Sequence, residues 1–131
     1  MSMVWDEQLV AVIQRALEED IGDGDVTTEC TVPPEARYQG KLLAKATGII
    51  AGLEVARLTF LLLAESQGVA DQLHFTPTVA DGEQVGRGAV FATVYGPGRV
   101  LLSAERTALN FLQRMSGIAT LTARYVDAVR G

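Results

Sequence analysis

The chain has 131 residues, 48% of them apolar and 21% charged, a balance that builds a core and excludes disordered, collagenous and low-complexity classes. Eleven basic against sixteen acidic residues give a net charge of -5, which leaves no basic stripe for nucleic acid, and the single Cys30 excludes an internal disulfide framework and fits a reducing cytoplasm. Residues 58–64, the longest strongly apolar run, are far too few to span a membrane, and the first residues carry no secretion signal, so a small acidic cytoplasmic domain is expected.

Leu9, Val12, Ile13, Ala16 and Leu17 recur at helical spacing and predict an amphipathic helix over residues 6–20, with Asp6 and Glu7 near its positive end. Gly22 and Gly24 break it, and residues 21–28 read as a structured loop closed by Pro33 and Pro34. From Ala36 the period shifts towards strands: Tyr38, Gly40, Leu42 and Ala44 alternate with Arg37, Gln39, Lys41 and Lys45, and Leu43 interrupts the period. Ile49 to Ala51, flanked by Gly48 and Gly52, fits a buried strand, and Leu53 to Ser66 is apolar enough for a mostly buried helix ended by Gln67-Gly68. Short strands and turns are expected over residues 69–98, with Asp81-Gly82 as a turn. Helical spacing then returns, with Ser103 as N-cap and Glu105 in the first turn. A second helical pattern, Ile118, Leu121, Tyr125, Ala128 and Val129, leaves an apolar face with nothing after it to cover it. The order of elements predicts an α+β domain.

Several motifs fail on chemistry. No Gly-Lys-Ser/Thr ending completes a phosphate loop, and the glycine pairs at 22/24, 86/88 and 96/98 each lack the third glycine of a dinucleotide turn, so all three read as turns. A calcium loop starting at Asp23 would need glycine where Thr28 stands and glutamate where Pro34 stands, so Asp23 and Asp25 read as turn-capping residues. His74 and Cys30 are too few for a structural zinc site, and each reads as a packing residue. Residues 79–91 look like a piece of a biotinyl or lipoyl carrier sheet, but neither Lys41 nor Lys45 has the flanks of a modifiable lysine.

Arg106, Asn110 and Gln113 stand at i, i+4 and i+7, and therefore line one face of the helix, with Gly117 beyond. A solvated face is the ordinary explanation. The same stripe also suits a planar carboxylate, because guanidinium offers paired donors in a fixed fork.

Residues 103–120, Ser-Ala-Glu-Arg-Thr-Ala-Leu-Asn-Phe-Leu-Gln-Arg-Met-Ser-Gly-Ile-Ala-Thr, resemble the hallmark segment of the quinolinate phosphoribosyltransferases. Residues 19–28 (Glu-Asp-Ile-Gly-Asp-Gly-Asp-Val-Thr-Thr) and 45–52 (Lys-Ala-Thr-Gly-Ile-Ile-Ala-Gly) resemble two further signatures, in family order and spacing. The resemblance implies an α/β sandwich domain with a small, mostly antiparallel sheet and packed helices, at residues 1–115, followed by a linker helix at 116–131 into an α/β barrel. That barrel, with its Thr-Arg-Lys-Thr-type segment and its anion-binding cations, is expected after Gly131, so the chain is expected to be an N-terminal portion, inactive alone. The reaction implied joins quinolinate to phosphoribosyl pyrophosphate and gives nicotinate mononucleotide, pyrophosphate and carbon dioxide, with Mg accompanying the phosphoribosyl pyrophosphate. The resemblance makes Arg106 a quinolinate ligand reaching into a neighbouring subunit's site, in at least a homodimer. Glu105 is read as pairing locally, and no catalytic residue or metal ligand is assigned to this chain. Neither nucleic acid nor membrane is expected as a partner. The alternative is a complete non-catalytic domain that binds a partner or small ligand.

Overall fold

An apolar stripe with polar flanks makes the first element a helix, and α1 spans Glu7–Ile21 in the computed structural model, which describes residues 7–22 and 31–130. Asp6, Asp23, Gly24, Asp25, Thr27, Thr28 and Cys30, with the roles read for them above, lie outside the described residues. Ile13 and Leu17 are the buried residues of α1, and Leu9, Val10 and Ile21 pack beside them. Val12, expected on that face, is 52% exposed. At about 100° per residue it points well away from the Ile13–Leu17 line.

Five strands follow in two sheets: β1 (Arg37–Leu43), β2 (Gly48–Ile49), β3 (His74–Pro77), β4 (Gln84–Val85) and β5 (Val90–Pro97). The larger sheet has the order β1-β5-β3, both pairings antiparallel, and β2 pairs with β4 in a separate antiparallel ribbon. Register places Leu42 opposite Ala92, Gly40 opposite Val94 and Phe75 opposite Val94 on one face. Gln39, Tyr95 and His74 lie in a row on the other, where the His74 and Tyr95 rings stand 6.3 Å apart. The first face is packed and the second largely solvated, the usual division of labour in an antiparallel sheet. The interruption at Leu43 is a real irregularity, because the register shifts between Leu42 and Leu43 and Leu43 pairs with Val90. The expected buried strand at 48–52 shrinks to two residues, since only Gly48 and Ile49 find partners in β4.

The helix α2 (Leu53–Ser66) buries residues around most of its circumference, from Leu53 and Val55 to Leu62 and Ala64. It lies between α1, α3 and the packed face of the sheet, where Phe60 meets Phe75 at 6.2 Å between ring centroids. Its first turn is capped from far along the chain. Asp81 accepts from the amides of Gly52 (3.2 Å) and Leu53 (3.1 Å), one on each carboxylate oxygen. Gly52 has a φ of 95°, which an L side chain adopts only with strain. A carboxylate in this position satisfies two otherwise orphaned donors and faces the positive end of the helix. Asp81→Ala should therefore destabilise the domain by about 1–2 kcal/mol. Thermal unfolding would show the loss as a lower Tm, and an unchanged Tm would refute the capping role.

The last helix corrects the sequence reading. α3 runs unbroken from Gly98 to Arg130, 33 residues, or about 50 Å at about 1.5 Å per residue. Ser103 sits inside it and is not its N-cap. Helix starts where the chain leaves β5, because Val100 and Leu101 already belong to the buried face with Ala104, Ala108 and Leu112. The glycine pair 96/98 is thus a strand-to-helix junction, tied by the Gly98 amide donating to the Ala36 carbonyl at 2.9 Å. The pair 86/88 is the turn expected, with the Ala89 amide donating to the Gly86 carbonyl. The second helical pattern is present as an outward face: Ile118, Leu121, Tyr125 and Val129 are 61–70% exposed. Among the described residues no helix is long and apolar enough to cross a membrane.

Candidate functional site

Five arginines (99, 106, 114, 124 and 130) stand on α3 against two acids, Glu105 and Asp127. That is a local excess of three positive charges in a chain whose net charge is -5, so the remainder carries -8. An anion approaching this domain therefore meets a net positive charge along α3.

Arg106, Asn110 and Gln113 are all exposed on that helix and aligned as their spacing requires. Arg106 makes no hydrogen bond or ion pair with any described residue. Its fork of donors is presented outward. By contrast, the Arg57 guanidinium is committed internally: Glu54 holds it bidentately at 2.6 and 3.0 Å and raises its pKa above the ordinary arginine value. Glu105, expected to pair locally, is exposed with no ion pair among the described residues.

Described residues of the other two signature segments meet α3. Thr107, beside Arg106, is 1% exposed, and its hydroxyl donates to Oδ2 of Asp20, near the end of α1, at 2.5 Å. Further along, two hydroxyls of α3 bind the 45–52 segment. Ser116 Oγ accepts from the Ala51 amide at 3.0 Å and donates to the Ala51 carbonyl at 3.1 Å. Thr120 Oγ1 accepts from the Ile49 amide at 2.9 Å and donates to the Ser116 carbonyl at 2.8 Å. Backbone groups that leave the sheet so early need such partners. The approach is close enough to require glycine: a Cβ on Gly48 would lie 2.7 Å from Thr120 Oγ1, and one on Gly52 would lie 2.8 Å from Met115 Sδ.

Between the same segment and α3 lies an open, mostly apolar cleft of about 470 Å³, bordered by Leu43, Phe91, Leu112 and Leu121, with Lys45, Gln113 and Arg124 at its polar edges. Gln113 joins this cleft to the Arg106 stripe, and Arg124 lies on the same helix face as Arg106, five turns on. Sequence reasoning found Arg106, Asn110 and Gln113 through their spacing. It missed Thr107, Ser116 and Thr120, whose partners lie far away in the sequence.

The family described as "Quinolinate phosphoribosyl transferase, N-terminal domain" matches residues 25–116. A quinolinate phosphoribosyltransferase (decarboxylating) 1b of Nicotiana tabacum is 45% identical over 121 residues, 92% of this chain and 33% of the relative. A nicotinate-nucleotide pyrophosphorylase (carboxylating) of Mycobacterium leprae is 45% identical over 120 residues, 91% of this chain and 41% of the relative. Among solved structures, NadC from Streptococcus pyogenes superposes with a TM-score of 0.88 at 32% identity, covering 100% of this chain and 45% of that one. The chain thus spans about a third of the length of the first of these curated relatives.

Proposed function

The chain belongs to the quinolinate phosphoribosyl transferase N-terminal domain family, and from that premise we propose that it serves an enzyme making nicotinate mononucleotide from quinolinate and phosphoribosyl pyrophosphate. Pyrophosphate and carbon dioxide are the other products, and the reaction feeds NAD synthesis. The observation that carries this reading is the exposed Arg106, unpaired among the described residues, on a helix with an excess of positive charge. Quinolinate is a flat dicarboxylate, and a guanidinium fork grips one carboxylate with two parallel hydrogen bonds. Asn110 and Gln113, on the same face, offer amide donors for the neighbouring polar atoms.

The chemistry asks for little covalent help from the protein. The pyridine nitrogen attacks the anomeric carbon as pyrophosphate departs, and the carboxylate beside the nitrogen is lost as carbon dioxide, a proton from solvent taking its place on the ring carbon. Holding both ring carboxylates fixes the angle of attack, and fixed cations lower the energy of a transition state built from anions. This domain contributes the carboxylate grip through Arg106. That side chain is exposed on α3, and we take the site it completes to belong to a neighbouring subunit of a homodimer. Residues 1–115 act as the domain and 116–131 as the helix leading from it.

Magnesium would accompany the phosphoribosyl pyrophosphate. Among the described residues no three His, Cys, Asp or Glu side chains gather as a donor set, and no step is routed through the ion. We place the protein in the cytoplasm on the strength of its single cysteine. Relatives named as chloroplastic and mitochondrial share the same domain, so the fold itself serves in several compartments.

The assay is release of nicotinate mononucleotide by the intact enzyme with each substrate omitted in turn. Turnover should require quinolinate. Equal turnover with nicotinate, which lacks the second carboxylate, would refute the assignment.

A further inference from the structure

We propose that Thr107 and Asp20 are a positioning pair that sets the rotation of α3 and so aims Arg106; the proposal rests on the reading of Arg106 as a carboxylate ligand. The observation is a contrast between threonines. Thr59 and Thr120 are also helical, and each hydroxyl donates to the carbonyl four residues back, Val55 at 2.7 Å and Ser116 at 2.8 Å. That local bond is the default for a helical threonine. Thr107 departs from it: its hydroxyl donates to the Asp20 carboxylate, 87 residues away in sequence, at 2.5 Å.

The position of this bond gives it leverage. Thr107 is the immediate neighbour of Arg106, while Asp20 lies in the last turn of α1, within another signature segment. The bond therefore ties the azimuth of α3 to α1 at the residue next to the guanidinium. Side-chain tips ride about 5–6 Å from a helix axis, so a rotation of about 20° would carry the base of the Arg106 fork through about 2 Å. A misplacement of about 1 Å in a positioning group can cost about a hundredfold.

A fastening that only stabilised the fold would behave differently on substitution. Asp20 is exposed, so when its partner loses the hydroxyl the carboxylate turns to water and no buried charge is orphaned. Thr107→Val keeps the β-branched shape of the buried side chain and removes only the donor. It should leave Tm nearly unchanged.

The test is steady-state kinetics on the intact enzyme. Thr107→Val should raise the KM for quinolinate about tenfold, leave the KM for phosphoribosyl pyrophosphate at its original value, and be rescued by Thr107→Ser. Asp20→Ala cuts the same bond from its exposed end and should reproduce the pattern without disturbing the core. Normal quinolinate KM in Thr107→Val and Asp20→Ala, beside a raised KM in Arg106→Ala, would overturn the positioning role and leave the function standing. Normal quinolinate KM in Arg106→Ala would overturn both. Parallel losses in kcat and in both KM values, with a fallen Tm, would mark the bond as a structural fastening and overturn the proposal.

Discussion

Phe60→Ala is expected to cost the domain about 3–5 kcal/mol of stability. Phe60 is 1% exposed, its ring lies 6.2 Å from that of Phe75, and it belongs to the cluster that joins α2 to the packed face of the sheet. The neighbours that would have to collapse into the space are held by the backbone ladder: Leu42 on β1 and Val94 on β5 are paired strand residues, and Leu101 belongs to the buried stripe of α3. A shallow cleft of about 160 Å³ already reaches Phe60 between these residues, so truncation opens the core towards solvent. A domain of this size commonly holds only about 5–15 kcal/mol in total. The denaturant midpoint should fall by a large fraction of its value, with an unchanged slope. Phe60→Leu, which keeps most of the volume, should cost far less. A midpoint shift in Phe60→Ala no larger than in Phe60→Leu would mean that the ring is not filling this space.

What could be read in advance follows from the range of the forces involved. α1 and α2 were legible because their stabilising pattern is local: apolar residues three and four apart show in the sequence whatever they pack against. Turns at Asp81-Gly82 and Gly86–Gly88 were legible for the same reason, as backbone preferences carried by single residues. The start of α3 was not. Ser103 has the chemistry of an N-cap, but burial of Val100 and Leu101 against the rest of the domain extends the helix back to Gly98. Tertiary burial outweighed a local capping preference worth about 1 kcal/mol. The cap of α2 was hidden for a related reason, since Asp81 is remote from the helix it serves and reads locally as a turn residue.

The site divides in the same way. Arg106, Asn110 and Gln113 share a face by helical arithmetic alone, and the structure keeps them together and exposed. Thr107, Ser116 and Thr120 carry no such signal, because their importance lies in partners 87, 65 and 71 residues away. The glycines at 48 and 52 were visible as strand punctuation, whereas their closeness to Thr120 and Met115 was not. Composition was informative in sum and silent on distribution. A net charge of -5 suggests a domain that repels anions, yet α3 carries a net excess of three positive charges and the remainder a net -8.

Replacing Arg106 with alanine should change function more than any other single substitution on α3, and should leave the fold almost untouched. Arg106 is exposed and unpaired among the described residues, so its loss from the isolated domain falls within about 0.5 kcal/mol. On the proposed function, the same residue in the intact enzyme would meet a carboxylate in a site closed to water, where truncating one partner of a charged hydrogen-bonded pair costs about 2–5 kcal/mol. At about 1.4 kcal/mol per factor of ten, the affinity for quinolinate should fall about thirty- to several-thousandfold. Arg106→Lys keeps the charge and gives up the fork, so it should recover part of the affinity and not all of it. The affinity for phosphoribosyl pyrophosphate should be unaffected, because the guanidinium is assigned to the ring carboxylate. Quinolinate titration and thermal unfolding of the same preparations separate the two contributions. Unchanged quinolinate affinity in Arg106→Ala would return the Arg106 stripe to a solvated face, whereas lost affinity with an unchanged Tm requires that the guanidinium act on a group this domain does not itself contain.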